Sequence, residues 1–572
     1  MSGAWDAAGP GVRAADRLAA RLWVRPGAPA TFAAPPEPVF IGRPERGERL
    51  AQGRLLVRGE PFDLPDGSTP WVHDLPPGLL AELHRFAWLD DLAALGGRAA
   101  WAVARRWTMD WIARFGGGSG AGWTAARTGR RLMAWIDHAA MVEAGPESRG
   151  HDDAFRRSLG RQARFLARRW HAAPPGPGRV EACCAVLRAG LALSDPALSV
   201  KAAAEALARE AVAAMDDHGA LPSRNPERLL ELHARLSWAA GALAAAGHPV
   251  PEPLERALSQ ATPVLRTLRH ADGGLVRMHG GGAGVEGRLD AALAGELAHR
   301  GLSAGRMALG FARLSEGRVT VIADAAAPPA GFAGRDAHAS TLAIEITAGR
   351  HPLVVSCGSG AGFGPDWHRA GRATASHSVL GLEGASSSRL GAPVVLEGRL
   401  VEPLDRVPGE VTRAIGTRRG AEGDDPGALV LDMSHDGWRG SHGLICRRRV
   451  SLRRDGREVS GEEALVAETD RDVDALVAAA ARTEDGIGYA VRFHLHPDVE
   501  ASADDAGVQA RIALPSGQVW TLRHDGVARL SVEPSVFFDE AWPAPRPSRQ
   551  AVLAGRIEEV ATRLEWSLSR VG

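Results

Sequence analysis

The chain has 572 residues, and single hydrophobic cores stop growing near about 250 to 300 residues, so at least two domains are expected. Hydrophobic residues at 45% and charged residues at 24% match globular averages and exclude wholesale disorder. Lys+Arg at 68 balance Asp+Glu at 68, so no global field draws the chain to nucleic acid or anionic lipid, and no apolar run approaches the ~18 to 20 residues of a membrane span.

Residues 1–76 read as an irregular N-terminal arm, Pro-rich over 34–44, with a short stranded piece at Arg54–Val57. Arg13, Arg17, Arg21 and Arg25 punctuate an Ala-rich opening that lacks the compact apolar stretch of a secretory signal, so the expected compartment is the cytoplasm. Four cysteines without a CxxC pair predict buried thiols rather than a disulfide framework. Lys201, Tyr489 and Asn225 are each the only residue of their type. All three have AT-rich codons, so a GC-rich genome depletes them, and a surviving Asn hints at a constrained position.

From 77 to 314 the apolar spacing is helical, as in Leu80, Leu83 and Phe86 or Leu132, Trp135 and Ile136. Gly and Pro clusters break it into antiparallel pairs, which reads as an incomplete α/α toroid. The basic run Arg127 to Arg131 lies near Trp123 and Trp135 and resembles a sugar subsite, with indoles stacking on pyranose rings and guanidiniums pairing with carboxylate or sulfate. Further along, Ser223-Arg224-Asn225-Pro226 suits a helix start, with Asn225 as the N-cap and Pro in the first turn. The same Arg-Asn pair at a helix N-terminus also makes a carboxylate site. The Gly-rich segment 272–282, with His279 near its centre, reads as an exposed, flexible loop; without a Walker lysine or a preceding strand it is a poor nucleotide site.

After residue 314 the period changes to two, with β-branched runs that predict an antiparallel β-sandwich over 315–572. His338 leads into one strand, Ser356-Cys357 ends the next, and His377 opens another after Trp367 to Arg372, so three strand ends are expected to converge. Imidazoles there can ligate zinc or move protons, or serve as hydrogen-bonded structural histidines. His494 and His496 share a strand face at i, i+2, a spacing that suits either a metal or a solvated face. No GxSxG elbow accompanies the serines and histidines.

Together, helical repeats followed by a β-sandwich, the Ser223 to Pro226 turn, the Ala337-His338-Ala339-Ser340-Thr341 strand entry, Thr374 to Ser378, Arg492 to Pro497 and the closing Val552 to Leu568 hairpin resemble the heparinase II/III-like polysaccharide lyases. The resemblance implies β-elimination next to a uronic acid in a cleft between the domains, with an acidic polysaccharide or oligosaccharide as partner. Asn225 matches the family's carboxylate-neutralising Asn. His377 or His279 would move protons, because the family's helical-domain Tyr has no counterpart and Tyr489 lies in the β half. Arg224, Arg127, Arg131, Arg372, Trp123, Trp135 and Trp367 would bind sugars. No cofactor is required; a structural zinc would rest on His338 and His377 with Cys357, Asp336 or a water completing the shell, since Ser340 and Ser356 stand where the family writes acidic ligands. Family resemblance also offers the periplasm as an alternative compartment. Two other functions fit the same sequence. One is a catalytically inactive glycan-binding or envelope-assembly protein on the lyase scaffold. The other is an α/α-toroid glycoside hydrolase using Asp216, Asp217 or Glu227.

Overall fold

The computed structural model describes residues 10–22, 28–33, 38, 40, 42–57, 60–143, 148–282, 284, 287–294, 306–396, 399–419 and 427–571. Its first half is helical. Long helices at Gly97–Phe115, Ala125–Asp137, Ser148–Arg169, Pro177–Ala192, Val200–Ala214, Pro226–Ala245 and Glu252–Leu268 succeed one another along the chain. Their starts are written in the sequence: Thr124, Ser199 and Asn225 accept hydrogen bonds from the backbone N–H groups of Arg127, Ala202 and Arg228, and Pro occupies the first turn after Asn225.

An aromatic core holds the first helices together. Trp107, Trp111, Trp123 and Trp135 are fully buried, and Trp111 meets Trp135 edge to face at 5.5 Å between ring centroids. Arg131 lies inside this core, where Nη1 donates to the carbonyls of His84 and Gly122, Nε donates to Gln162 Oε1, and the guanidinium sits 4.2 Å above Trp111.

The second half is β. Among the described residues one sheet has nine strands and the other eight, both antiparallel, sharing one core. In the larger sheet Gly488–Leu495 pairs with Arg546–Arg556, with His351–Val355 and with Leu380–Leu382. In the smaller, Glu458–Val466 lies between Leu444–Arg453 and Ala561–Val571. At Gly461 a Cβ would come 2.4 Å from Trp566 Cε2, so glycine is what lets that indole lie flat on the strand. Buried Arg448 ties this sheet to the other by donating from Nη1 to the carbonyls of Leu342 and Ser378.

Two boundaries differ from the sequence reading. Strands already occur at Met307–Ala308 and Phe311–Glu316, so the β pattern begins before residue 315. The arm is not irregular: it carries helices at Pro10–Leu22 and Pro44–Ala51 and a hairpin of Arg54–Val57 with Glu60–Asp63. The helix Pro44–Ala51 forms because it docks on Trp88–Leu95, not because eight mostly polar residues are helical alone.

The halves meet at two buried carboxylates. Asp324 accepts from Arg224 Nη2 at 2.5 Å and from Ser340 Oγ at 2.7 Å, and His279 Nε2 lies 3.1 Å away. Arg224 also donates to the carbonyls of Leu309, Gly310, Ala326 and Ala327, all from the β half. Glu345 accepts from His270 Nε2 at 3.0 Å and from the backbone N–H groups of Arg277 and Ser356. The segment carrying Arg277 and His279 is therefore not an exposed loop. Leu275, Val276, Arg277, Met278 and His279 are all buried at the seam, because the apolar residues between the glycines pack against the sheet.

Candidate functional site

A cleft of about 750 Å³ lies between the arm, the helical half and the β half. Its walls are charged rather than aromatic. The arm contributes Arg43, Arg46 and Arg49; the helices contribute Arg85, Asp90, Asp91, Arg130, Glu181, Glu227, Arg228, Glu231 and Arg235; the β half contributes Arg335, Asp336 and Glu540.

Most of these charges are matched. Arg130 and His138 share Asp90, Arg235 and Arg85 share Glu181 at 2.8 and 2.9 Å, and Arg228 reaches Asp336 at 2.6 Å. Burial pushes the Asp90, Glu181 and Asp336 carboxyls up, and their arginines outweigh it, leaving all three below the usual carboxylate range. Glu227 behaves oppositely. Among the described residues its side chain accepts a hydrogen bond from the Gly282 N–H alone, at 3.1 Å, and burial followed by the charges of Glu231 and Glu540 raises its pKa.

Asn225 closes the start of the helix Pro226–Ala245, with Oδ1 accepting from Arg228 N at 3.0 Å. The turn it sits in lines the cleft through Pro222, Ser223, Glu227 and Arg228. Arg224, expected to share a substrate carboxylate with Asn225, points instead into the seam and is engaged by Asp324 and four carbonyls. Burial alone would push the Asp324 carboxyl up; the Arg224 guanidinium, with His279 and Ser340 behind it, holds it well below the usual carboxylate range.

The histidines do converge, but behind the cleft wall. His279, His338 and His377 are 1%, 0% and 0% exposed, and the rings of His338 and His377 are 5.1 Å apart between centroids. His279 Nδ1 accepts from His338 N and His338 Nε2 accepts from Gly280 N, which leaves the proton of each neutral ring on its other nitrogen. Burial drives the His377 imidazole down to about 3, aided by His494 and His279, and holds that of His338 well below its ordinary value.

The zinc ligand set does not assemble. Cys357 Sγ turns to His494 Nδ1 at 3.5 Å and Ser535 Oγ at 3.9 Å rather than joining His338 and His377, and burial pushes its thiol up to about 11. Among the described residues no three His, Cys, Asp or Glu side chains come together to hold a metal. Ser340 donates to Asp324 instead of offering a carboxylate. His494 and His496 do not chelate either: His494 is held by Ser535 Oγ and the Ala375 carbonyl, and His496 Nδ1 lies 3.5 Å from Asp498.

The expected sugar-binding side chains mostly serve the fold. Trp123, Trp135 and Arg131 are in the helical core, and Arg127 turns to the Ala121 carbonyl at 2.6 Å. The phase of the helix Ala125–Asp137 explains this, since it aims Ala126 and Arg130, one turn apart, into the cleft and turns Arg131 inward. Arg372 is buried and donates to the carbonyls of Ala337, Gly334 and Glu402. Trp367 alone of the three tryptophans reaches the surface, 39% exposed and edge-on to Phe538. Asp216 is tied into its turn by the N–H groups of His218 and Ala220. The cleft residues missed in the sequence, Arg43, Arg46 and Arg49, carried one signal: arginines repeating every third residue.

Comparison with known proteins agrees with this architecture. Residues 302–567 match the family described as heparinase II/III-like, C-terminal. Among solved structures, heparinase III superposes with a TM-score of 0.65 at 13% identity, over 93% of this chain and 86% of that one. A heparan sulfate lyase HepC mutant from Pedobacter heparinus gives 0.54 at 14% identity, over 92% and 82%. FtsZ-localized protein C of Caulobacter vibrioides (strain NA1000 / CB15N) is 31% identical over 553 residues, covering 92% of this chain and 88% of that relative. With its helical toroid, its C-terminal β-sandwich and this full-length likeness, the chain belongs to the heparinase II/III-like family.

Proposed function

We propose that the chain binds an acidic, uronate-type oligosaccharide in the cleft without cleaving it, and acts as an envelope-assembly component of cell division. The position of the imidazoles carries this reading. β-Elimination needs a base within reach of the sugar C5 proton and an acid at the leaving oxygen, whereas His279 and His377 are buried behind the wall and absent from the cleft lining. Tyr489 offers no substitute, being buried in the β half with Gly555 beneath its hydroxyl. The likeness to an FtsZ-localized protein supports a role at the division site, and with it a cytoplasmic location.

The test is ultraviolet absorbance of purified protein incubated with heparan-type, chondroitin-type, alginate and glucuronan polymers, with calorimetric binding in parallel. Saturable binding with flat absorbance is the expected result; any unsaturated product overturns the non-cleaving reading. A fluorescent fusion is expected to gather where FtsZ gathers, and a uniform distribution would overturn the division role.

One observation favours a second reading, cleavage by β-elimination. Asn225 is itself buried and outside the cleft lining, but its neighbours Ser223 and Glu227 line the cleft, and while its Oδ1 is committed to the cap its Nδ2 makes no hydrogen bond among the described residues, which leaves an amide donor one layer behind the wall. Under that reading Asn225→Ala abolishes product formation.

A further inference from the structure

The arm builds one cleft wall, and it is placed there by close packing. A Cβ at Gly42 would come 2.1 Å from the Asp90 carbonyl oxygen, and one at Gly47 2.2 Å from that of Asp91, so only glycine lets the arm seat this deeply. Arg43 N donates to Asp91 Oδ1 at 2.8 Å and fixes the first turn. Arg46 and Arg49, three residues apart on one face of the helix Pro44–Ala51, both line the cavity.

Of these two cations, Arg49 is the one neutralised less well than those around it. Arg46, half exposed, makes two long approaches of 3.6 Å, to Asp91 and to Glu540, and the charges of these carboxylates, with Glu82 and Glu227 further off, outweigh its burial and raise its pKa. Arg49 is half-buried and makes no hydrogen bond or ion pair among the described residues. Burial, then the Arg46 charge, lower its pKa. A guanidinium carries five donors, and holding it partly out of water beside a second cation is costly until an anion completes it.

We infer that Arg46 and Arg49 form an anion-binding subsite on the N-terminal arm, which takes a carboxylate or sulfate group of the oligosaccharide bound in the cleft. The inference rests on the glycan-binding reading above. Both groups are oxyanions that accept two N–H bonds from a guanidinium fork, and a lysine would not reproduce that geometry. To reach the ligand Arg46 gives up two 3.6 Å approaches and no shorter side-chain hydrogen bond among the described residues. The carboxylate it leaves, Asp91, keeps its hydrogen bond from Arg43 N.

The test uses the full chain as wild type, R49Q, R46Q and the control R563Q, whose arginine is 72% exposed on a β strand. Calorimetry is run with a glucuronate oligosaccharide, a sulfated oligosaccharide, a neutral oligosaccharide and sodium sulfate. R49Q is expected to bind the anionic oligosaccharides about tenfold more weakly, the loss typical of a charge-assisted bond. Its affinity for the neutral sugar and its melting temperature are expected to match wild type, as is everything measured for R563Q. The glucuronate and sulfated arms decide which oxyanion is preferred. Equal affinity in R49Q and wild type, no anionic oligosaccharide bound by wild type, or binding of free sulfate alone would each overturn the subsite. An unsaturated product from wild type, with binding still weakened in R49Q, would retain the subsite and overturn the non-cleaving reading instead.

Discussion

Asp324→Asn removes the charge at the joint between the two halves. The carboxylate is fully buried and meets Arg224 at 2.5 Å, Ser340 Oγ at 2.7 Å and His279 Nε2 at 3.1 Å. Breaking a buried ion pair by neutralising one partner costs about 3 to 5 kcal/mol. Arg224 keeps its four backbone carbonyls in the variant, so its donors are not stripped, and the expected loss is about 3 kcal/mol, at the low end of that range. The assay is urea unfolding at pH 7 followed by tryptophan fluorescence, which reads both halves. Because the folded carboxyl is held below its usual range, its stabilisation is present above the unfolded pKa of about 3.9 and is lost only as pH falls through the lower folded value. The gap between wild type and variant should therefore hold from pH 8 to 5 and close below about pH 4. A variant within about 1 kcal/mol of wild type at pH 7 would refute the reasoning. A gap closing between pH 7 and 5 would refute it too, by assigning the effect to His279.

Two further outcomes follow from the same geometry. Asn225→Ala should lose the helix cap and about 1 kcal/mol of stability, while Asn225→Asp keeps it; equal melting temperatures for the alanine variant and wild type would contradict the cap. His84 and His435 are buried neutral, with Nδ1 accepting from Trp111 Nε1 and Gly437 N respectively, and burial brings their imidazoles down to about 3 and about 4. The fold favours their neutral forms, so stability is complete above the unfolded pKa of about 6.5 and falls as pH drops below it toward the folded values. Denaturant titrations from pH 7 to 4 should show that slope, reduced by about one proton in His435→Gln, and an unchanged slope in the variant would count against it.

What could be read in advance depended on where the physics was local. Asn225 followed by Pro226 is read as a cap from the two residues alone, and the short β-branched runs near 319, 428, 491 and 519 lie in strands, those near 319 and 491 buried on both faces, so that β-branching rather than alternation marked them. Trp123, Trp135 and Arg131 misled because indoles beside arginines look alike in a sugar subsite and in a core; only the packing of Trp111, Phe155 and Gln162 around them distinguishes the two. The segment 272–282 misled through its glycines, since its burial depends on a sheet distant in sequence, on which its apolar residues pack and whose Glu345, 68 residues on, accepts from the Arg277 amide. The cleft-lining helix of the arm was invisible because its partner helix, not its own sequence, makes it helical.

The four carbonyls read by Arg224 have a consequence for selectivity. One planar side chain, itself held on a left-handed backbone at φ 51°, is fixed by acceptors from two separate loops of the β half and by a carboxylate between them. Small rotations of one half against the other would break several of those bonds together, which opposes the hinge closure by which many two-domain proteins fold around a ligand. The spacing between the walls is thereby set before anything enters, and on the glycan-binding reading proposed above the cleft would act as a fixed-gap gauge, sorting oligosaccharides by girth and by the placement of their charges.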